Sequence, residues 1–340
     1  MRATSYFWTN RKYVVMSFKV LVSTRFFDPA AEQLLTDHKC ELVRTGLAYD
    51  VQDDTLDSAA LNRLLEGVDA WIVGTVPVTR DLMLAHPQLK VIARRGVGYN
   101  NVDIAAAREL NRHVTIASGG NEASVADHAL AMFLSLAKKL NEGHTALQQG
   151  RWSTFVSTEV FEKTVGLIGF GRIARAVAKR LKGFDATVLA YDPFADTKAG
   201  EESGVRFVEL NELLAQSDYV SLHLPLNKDT KHLINAQAIA RMKQGAFLIN
   251  TARGGLIDEA ALLAALQSGH LGGAGLDVFE NEPDLQDPIV KQLLMHPHVI
   301  GSAHAAGSSE EGLQRTNRIA AQTVIDLLNG RTIDPACLVV

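Results

Sequence analysis

Short apolar runs alternate with amphipathic stretches along almost the whole chain. Ser17-Phe18-Lys19-Val20-Leu21-Val22 opens the pattern and predicts a first strand over Lys19–Ser23. Pro29–His38 has helical spacing, with Asp28 as N-cap and Pro29 at the first helical position. A strand over Glu41–Arg44, a helix over Ser58–Glu66 ending at Gly67 and a buried strand over Ala70–Gly74 follow. Arg80–Ala85 reads as a helix, Val91–Ala93 as a strand, and Ile104–Leu110 as a helix after the turn Gly96–Asp103. Ala123–Leu140 is the longest helical run; it is so apolar that it is expected to be buried between domains or subunits. Residues 143–161 have weak periodicity and carry Trp152 and Phe155. They read equally as a semi-extended arm at an oligomer contact or as a loop capping its own domain.

The alternation then resumes. Strands are predicted over Val165–Ile168, Thr187–Tyr191, Tyr219–Leu222, Ala246–Ile249, Gly273–Leu276 and Val299–Ile300. Helices are predicted over Ile173–Leu181, Glu209–Leu214, Asn235–Met242, Glu259–Gln267 and Glu310–Leu328. Strands that alternate with helices imply parallel sheets covered on both faces, hence an α/β fold. Residues 1–16 fall outside the pattern. They contain Arg2, Arg11 and Lys12 and no acidic residue, and read as an extension, with Met16 as an alternative start, rather than as an organelle presequence.

Composition narrows the class. The 340 residues suffice for two domains, each with its own core. Apolar content of 47% and charged content of 21% are those of a globular protein. A formal charge of −4 with no basic run points away from nucleic acid and from anionic membrane surfaces. No apolar run is long enough for a membrane span. Cys40 and Cys337 form neither a disulfide framework nor a metal-binding spacing, so no metal site is expected and a cytoplasmic location is.

The candidate chemistry begins at residues 164–174. An apolar strand runs into Gly169-x-Gly171-x-x-Ala174, and a helix follows. Gly169 permits a tight turn, Gly171 lets a pyrophosphate approach the backbone, and Ala174 lets the helix lie close to the strand. Arg172 and Ile173 open that helix, whose free N–H groups face the phosphates. Asp192 ends the next strand, where a carboxylate can accept the ribose hydroxyls and repel a 2′-phosphate. That predicts NAD rather than NADP. The bland alternative is a carboxylate capping the turn before Pro193. Three further polar residues lie just past strand ends: Arg253 in Asn250-Thr251-Ala252-Arg253-Gly254-Gly255, Glu282 before Pro283, and His304 in Ser302-Ala303-His304-Ala305. Singly, each has a structural reading. Together, at one sheet edge, they point to a reaction site, because ligands bind at the carboxyl ends of parallel strands.

From Phe18 to Leu328 these motifs, in this order and spacing, make the chain resemble the D-isomer-specific 2-hydroxyacid dehydrogenase family. The resemblance implies a two-domain α/β fold with an NAD-binding Rossmann domain (117–302) inserted into a flavodoxin-like substrate domain (17–116 and 303–340), and a homodimer. It implies that Arg253 holds a small 2-oxo acid, that His304 is the acid and base, and that Glu282 pairs with His304, favouring the imidazolium and orienting the ring. It implies that backbone N–H groups at Val97 and Gly98 cradle the substrate carboxylate. Asp277 would bind the nicotinamide carboxamide, and Ser124, Val125, Thr251 and Ala252 would line the nicotinamide.

Some positions depart from the pattern. Ala303 stands where the family commonly has Pro, Asn100 where Asp is common, and Asp127 where Glu is common. Gly74 stands where some 3-phosphoglycerate dehydrogenases carry an arginine for the phosphate; Arg25, Arg94 and Arg95 are the nearby candidates to replace it. A hydroxypyruvate/glyoxylate-type reductase is therefore expected ahead of a D-3-phosphoglycerate dehydrogenase. An NAD(H)-sensing protein like the corepressors that share the fold is the alternative of another class.

Overall fold

The computed structural model describes residues 17–195, 200 and 204–340; the extension read at 1–16 lies outside them. The chain divides into two compact units, Met1–Ser118 with Gln314–Val340, and Gly119–Leu313.

The first unit holds a five-stranded sheet. Its strands are β1 (Phe18–Val22), β2 (Cys40–Arg44), β3 (Ala70–Val73), β4 (Val91–Arg94) and β5 (His113–Ile116). They lie parallel in the order β2-β1-β3-β4-β5. The connecting helices are α1 (Pro29–Asp37), α2 (Ser58–Leu64), α3 (Arg80–Ala85) and α4 (Ile104–Glu109). Each starts where a side chain can take the first free amides: Asp28, Asp57, Thr79 and Asp103 accept from the N–H three residues on. The sheet is covered on both sides. Leu21, Trp71 and Ile92 meet the helical residues Leu61, Met83 and Ala106 on one face. Val20, Ile72 and Ala93 meet Leu35 and, from the C-terminal segment, Val324 and Ile325 on the other.

A buried carboxylate sets the loops at the carboxyl edge of this sheet. Asp53 accepts from the backbone N–H of Gly74 and of Thr75, both at 2.7 Å, from that of Val76 at 3.1 Å, and from the Ser23 hydroxyl at 2.7 Å. Ser23 in turn accepts from the indole N–H of the fully buried Trp71 at 2.8 Å. The carboxylate occupies the space beside Gly74: a Cβ there would lie 2.6 Å from Asp53 Oδ1.

The second unit holds seven parallel strands: β6 (Thr164–Ile168), β7 (Thr187–Tyr191), β8 (Arg206–Phe207), β9 (Tyr219–Leu222), β10 (Ala246–Asn250), β11 (Leu271–Leu276) and β12 (Val299–Gly301). Their order is β12-β11-β10-β9-β6-β7-β8, so the direction of winding reverses between β6 and β9. The described helices are α5 (Glu122–Lys138), α6 (Leu140–Gln148), α7 (Arg172–Leu181), α8 (Leu210–Gln216), α9 (Ala236–Arg241), α10 (Glu259–Gln267) and α11 (Pro288–Met295); α12 (Glu310–Leu328) begins in this unit and ends in the first.

The elements depart from the sequence expectations in places. α5 is two residues shorter than α12, and its apolar face packs on β10, β11 and α7 of its own unit, with Phe133 edge-on to Tyr219 at 5.5 Å. The weakly periodic stretch after it is helical as far as Gln148, and only the part from Arg151 is extended loop. β5, β8 and α11 were not legible as elements, being short or lacking period. The compact units divide at 313/314, and residues 302–309, just past the domain boundary expected at 302/303, are hydrogen-bonded to Asp277 and Ser124 of the second unit.

Asp53→Ala would leave three N–H groups, those of Gly74 and Val76 buried, and the buried Ser23 hydroxyl without their acceptor. Urea unfolding should show a loss of about 3 kcal/mol or more, and Asp53→Asn should lose less. A loss below about 1 kcal/mol in Asp53→Ala would contradict the role given to this carboxylate.

Candidate functional site

β6 delivers the chain to the glycine turn at the point where winding reverses, which is where a doubly wound sheet opens a crevice. Gly169 has φ +90°, and a Cβ there would lie 2.6 Å from the His223 carbonyl oxygen, so only glycine passes. Ala174 is fully buried and seats α7 on the sheet. Gly171 differs: a Cβ there would meet nothing within 4 Å, so protein packing does not demand glycine. No side chain caps α7 at Gly171, whereas the N-termini of α1 to α4, α9, α10 and α11 are all capped by Asp, Thr or Asn. Free amides, an open face over Gly171 and the exposed Arg172 form a cradle suited to a pyrophosphate. Ile173 packs inward against the core of this unit.

Asp192 caps the turn after its strand and also reaches the glycine turn. One oxygen accepts from Phe194 N–H at 2.9 Å and caps the turn at Pro193; the other accepts from Phe170 N–H at 2.8 Å, inside the glycine turn. The carboxylate is thereby fixed beside the turn with acceptor capacity left for a ribose diol. His223, past β9, faces the same turn. Its Nε2 is buried without a partner, and burial pushes its pKa down to about 4.

The second cluster lies past β10, β11 and β12. The Asn250 side chain, fully buried, receives Ala252 N–H at 3.0 Å and donates to the Arg253 carbonyl at 2.8 Å, which shapes the loop that presents Arg253. Thr251 is buried with its hydroxyl unpartnered. A Cβ on Gly254 would sit 1.9 Å from the Phe279 carbonyl carbon, so the β10 and β11 loops touch there. Burial pulls the Arg253 guanidinium below its usual range, and the charge of Glu282 opposes that. Burial would by itself push the Glu282 carboxyl up. The hydrogen bond and charge of His304, the Phe279 N–H and Arg253 outweigh it and hold Glu282 below the usual range. Glu282 Oε1 lies 2.7 Å from His304 Nδ1.

His304 adopts a left-handed backbone, φ +49°, uncommon for a residue with a Cβ. Asp277 imposes it. Its carbonyl accepts His304 N–H at 2.8 Å, and its buried carboxylate accepts from Ser302 Oγ at 2.6 Å, Ala305 N–H at 2.8 Å and Ala306 N–H at 3.0 Å. Three accepted bonds leave the carboxylate little capacity for the carboxamide contact expected of it, so its first task is to hold the histidine loop. Ser124 works on the same loop: its hydroxyl donates to the Ala306 carbonyl at 2.7 Å and accepts from Ser309 N–H at 3.3 Å. Val125 is buried next to it. His128, which sequence reasoning missed, meets Ser302 Oγ at 2.9 Å, one α5 turn on from Ser124.

Arg253, Glu282, His304, Asp192 and the glycine turn all belong to the second unit. Val97 and Gly98 belong to the first, past β4. Neither N–H has a hydrogen-bond partner among the described residues, while the Gly98 carbonyl accepts from Arg94 Nε at 2.8 Å. Asp53 was also missed, since nothing in its local sequence separates a loop bolt from a surface aspartate.

A doubly wound sheet with this turn and this trio past successive strands defines a dinucleotide-binding unit equipped for acid–base chemistry. The sequence profile of the D-isomer specific 2-hydroxyacid dehydrogenase NAD-binding domain matches residues 130–306, and the chain belongs to that family. It is 36% identical over 316 residues to D-3-phosphoglycerate dehydrogenase of Bacillus subtilis, covering 92% of this chain but 57% of that protein. It is 38% identical over 278 residues to hydroxypyruvate reductase of Thermotoga maritima, covering 81% and 90%. The solved structure of D-lactate dehydrogenase from Aquifex aeolicus, complexed with NAD and lactic acid, matches with a TM-score of 0.79 at 29% identity, over 92% of this chain and 96% of that one. The cofactor of the domain is NAD, as the turn and Asp192 predict.

The buried Nε2 of His223 gives a pH test. The unfolded chain takes up a proton on this ring near pH 6.5, and the native ring refuses it until about pH 4. Stability is therefore lost as pH falls through that window, by up to about 3 kcal/mol. Urea unfolding at pH 7, 5.5 and 4.5 should show this loss in the parent protein and a smaller one in His223→Gln. Identical pH dependences would contradict it.

Proposed function

We propose that this chain interconverts a small 2-oxo acid and its D-2-hydroxy acid with NAD, as a hydroxypyruvate/glyoxylate-type dehydrogenase. The 2.7 Å bond from His304 Nδ1 to Glu282 carries the reading. With Glu282 accepting the Nδ1 proton, the proton exchanged with substrate is the one on Nε2, which has no partner among the described residues. His304 then gives that proton to the carbonyl oxygen in reduction and takes it from the hydroxyl in oxidation. NAD, when bound, supplies or receives the hydride. Arg253 grips the carboxylate and carbonyl oxygens with its planar fork, and the unpaired N–H groups of Val97 and Gly98 receive the carboxylate. The α7 amides, Gly171 and Arg172 hold the pyrophosphate, Asp192 the ribose, and Thr251, Ala252, Ser124 and Val125 flank the nicotinamide. Asp277 is chiefly a positioning residue for His304.

The substrate domain is assigned to the first unit, and the working form is a homodimer. Supporting the dimer, the extended loop before β6 exposes Trp152 at 93% and Val156 at 89% of their surfaces, more apolar area than a lone loop leaves in water without cost. A second copy is the occupant that the resemblance implies.

His304→Ala and Arg253→Ala should each lower kcat/KM for glyoxylate or hydroxypyruvate by about 100-fold or more while fluorescence titration still shows NADH binding. Near-parental turnover in both would refute the reading. Tight NADH binding with no turnover across 2-oxo acids would instead favour the sensing protein. Trp152→Glu combined with Val156→Glu should shift the particle from dimer to monomer in light scattering; an unchanged mass would refute the contact.

A further inference from the structure

The Asp277 side chain is 1% exposed, and its carboxylate has three donors: Ser302 Oγ at 2.6 Å, Ala305 N–H at 2.8 Å and Ala306 N–H at 3.0 Å. Two of these are backbone amides, whose direction is fixed by the chain. The third is a hydroxyl, which rotates about its C–O bond and can offer its one proton elsewhere. Ser302 stands where the chain leaves β12, two residues before His304, and its own N–H donates to the Leu276 carbonyl at 2.9 Å. The direction of that hydroxyl is therefore a condition for the loop that carries the histidine.

His128 sets that direction. Its Nε2 lies 2.9 Å from Ser302 Oγ and 3.7 Å from Asp277 Oδ1. An ionised carboxylate only accepts, so at 2.6 Å the Ser302 proton points at Asp277. Ser302 then has only lone pairs to offer the imidazole, and Nε2 must carry a proton whichever charge the ring has. The chain is directed: His128 Nε2–H donates to Ser302 Oγ, and Ser302 Oγ–H donates to Asp277. Hydrogen bonds aligned in this sense polarise and strengthen one another. All of these residues belong to the second unit. Glu282 orients the His304 ring through Nδ1. The chain from His128 acts instead on the backbone from which the ring hangs, because Asp277 holds the N–H groups of His304, Ala305 and Ala306.

We propose that His128 is a positioning residue for the reaction at His304: its Nε2 proton locks the Ser302 hydroxyl onto Asp277 and so keeps residues 302–306 in the backbone that aims the His304 ring. The proposal rests on the reading of His304 as acid and base. It adds a half-buried histidine of α5, with no hydrogen bond of its own to His304 among the described residues, that serves turnover as a hydrogen-bond donor rather than through its bulk.

His128→Gln and His128→Met separate donor from bulk, because the two new side chains are alike in length and only glutamine carries an N–H. In His128→Met, amide hydrogen exchange read by mass spectrometry should speed up by about tenfold in peptides covering residues 302–309 and stay unchanged in the rest of the second unit. With NADH and glyoxylate or hydroxypyruvate, kcat should fall by about tenfold while KM stays within about twofold. His128→Gln should bring both exchange and kcat back to within about threefold of the parent. Ser302→Ala should lower kcat at least as much as His128→Met, and the double variant should be no worse than Ser302→Ala alone, since both cut the same chain. Exchange and kcat that are equal in His128→Met and His128→Gln overturn the proposal. So does a double variant in which the two losses multiply, or exchange that responds while kcat does not. Faster exchange in His128→Met that glutamine repairs, in a protein that turns over no 2-oxo acid at all, keeps the hydrogen-bond chain and sinks the reaction assigned to His304.

Discussion

Parallel strands cannot be joined by tight turns, and this constraint orders both units. Each strand must be followed by a crossover, in most cases a helix, that returns the chain to the starting edge. All twelve named strands obey it. The loops that leave the carboxyl ends are consequently gathered along one edge of each sheet, free of the task of reversing direction. Gly169, Asp192, His223, Arg253, Glu282 and His304 all lie just past strands of the second sheet. Residues far apart in sequence meet because their strands are neighbours, as with Arg253 after β10 and Glu282 after its neighbour β11.

Loops set free in this way still need fixing, and each unit uses a buried carboxylate for it. Asp277 gathers Ser302, Ala305 and Ala306 and keeps His304 in a left-handed backbone that would otherwise relax. Asp53 gathers Gly74, Thr75 and Val76. Both are acceptors that collect backbone N–H groups which no sheet or helix partner would satisfy. The placement of the His304 side chain rests on this layer as much as on Glu282.

The sequence showed much of this through period and spacing. The strand–glycine turn–helix unit, the carboxylate after β7, and Arg, Glu and His past successive strands are local patterns that need no tertiary knowledge. Helix starts were legible at positions such as Asp28 and Asn235, where Asp or Asn stood before a periodic run, but not at Asp287, which caps α11. What stayed hidden depends on the partner, not the residue. Asp53 and Asp277 are ordinary aspartates until the distant N–H groups they collect are in view. β5 and β8 are too short to show alternation. α6 contains Gly143 and Thr145, which blurred its helical period, although Ala146 is buried as a helix face requires. Ala123–Leu140 read as interfacial because it is apolar almost all round, yet strands and α7 of one unit account for most of that surface.

The close approach at Gly254 has a consequence for how such a protein can change. The arginine loop and the glutamate loop are pressed together with no room for a methyl group, so neither can be lengthened or re-aimed without moving the other. A change in the backbone that presents Arg253 is therefore a change in the backbone that leads to Glu282, and substitutions in the two loops are coupled in pairs even though 29 positions of sequence separate the two side chains.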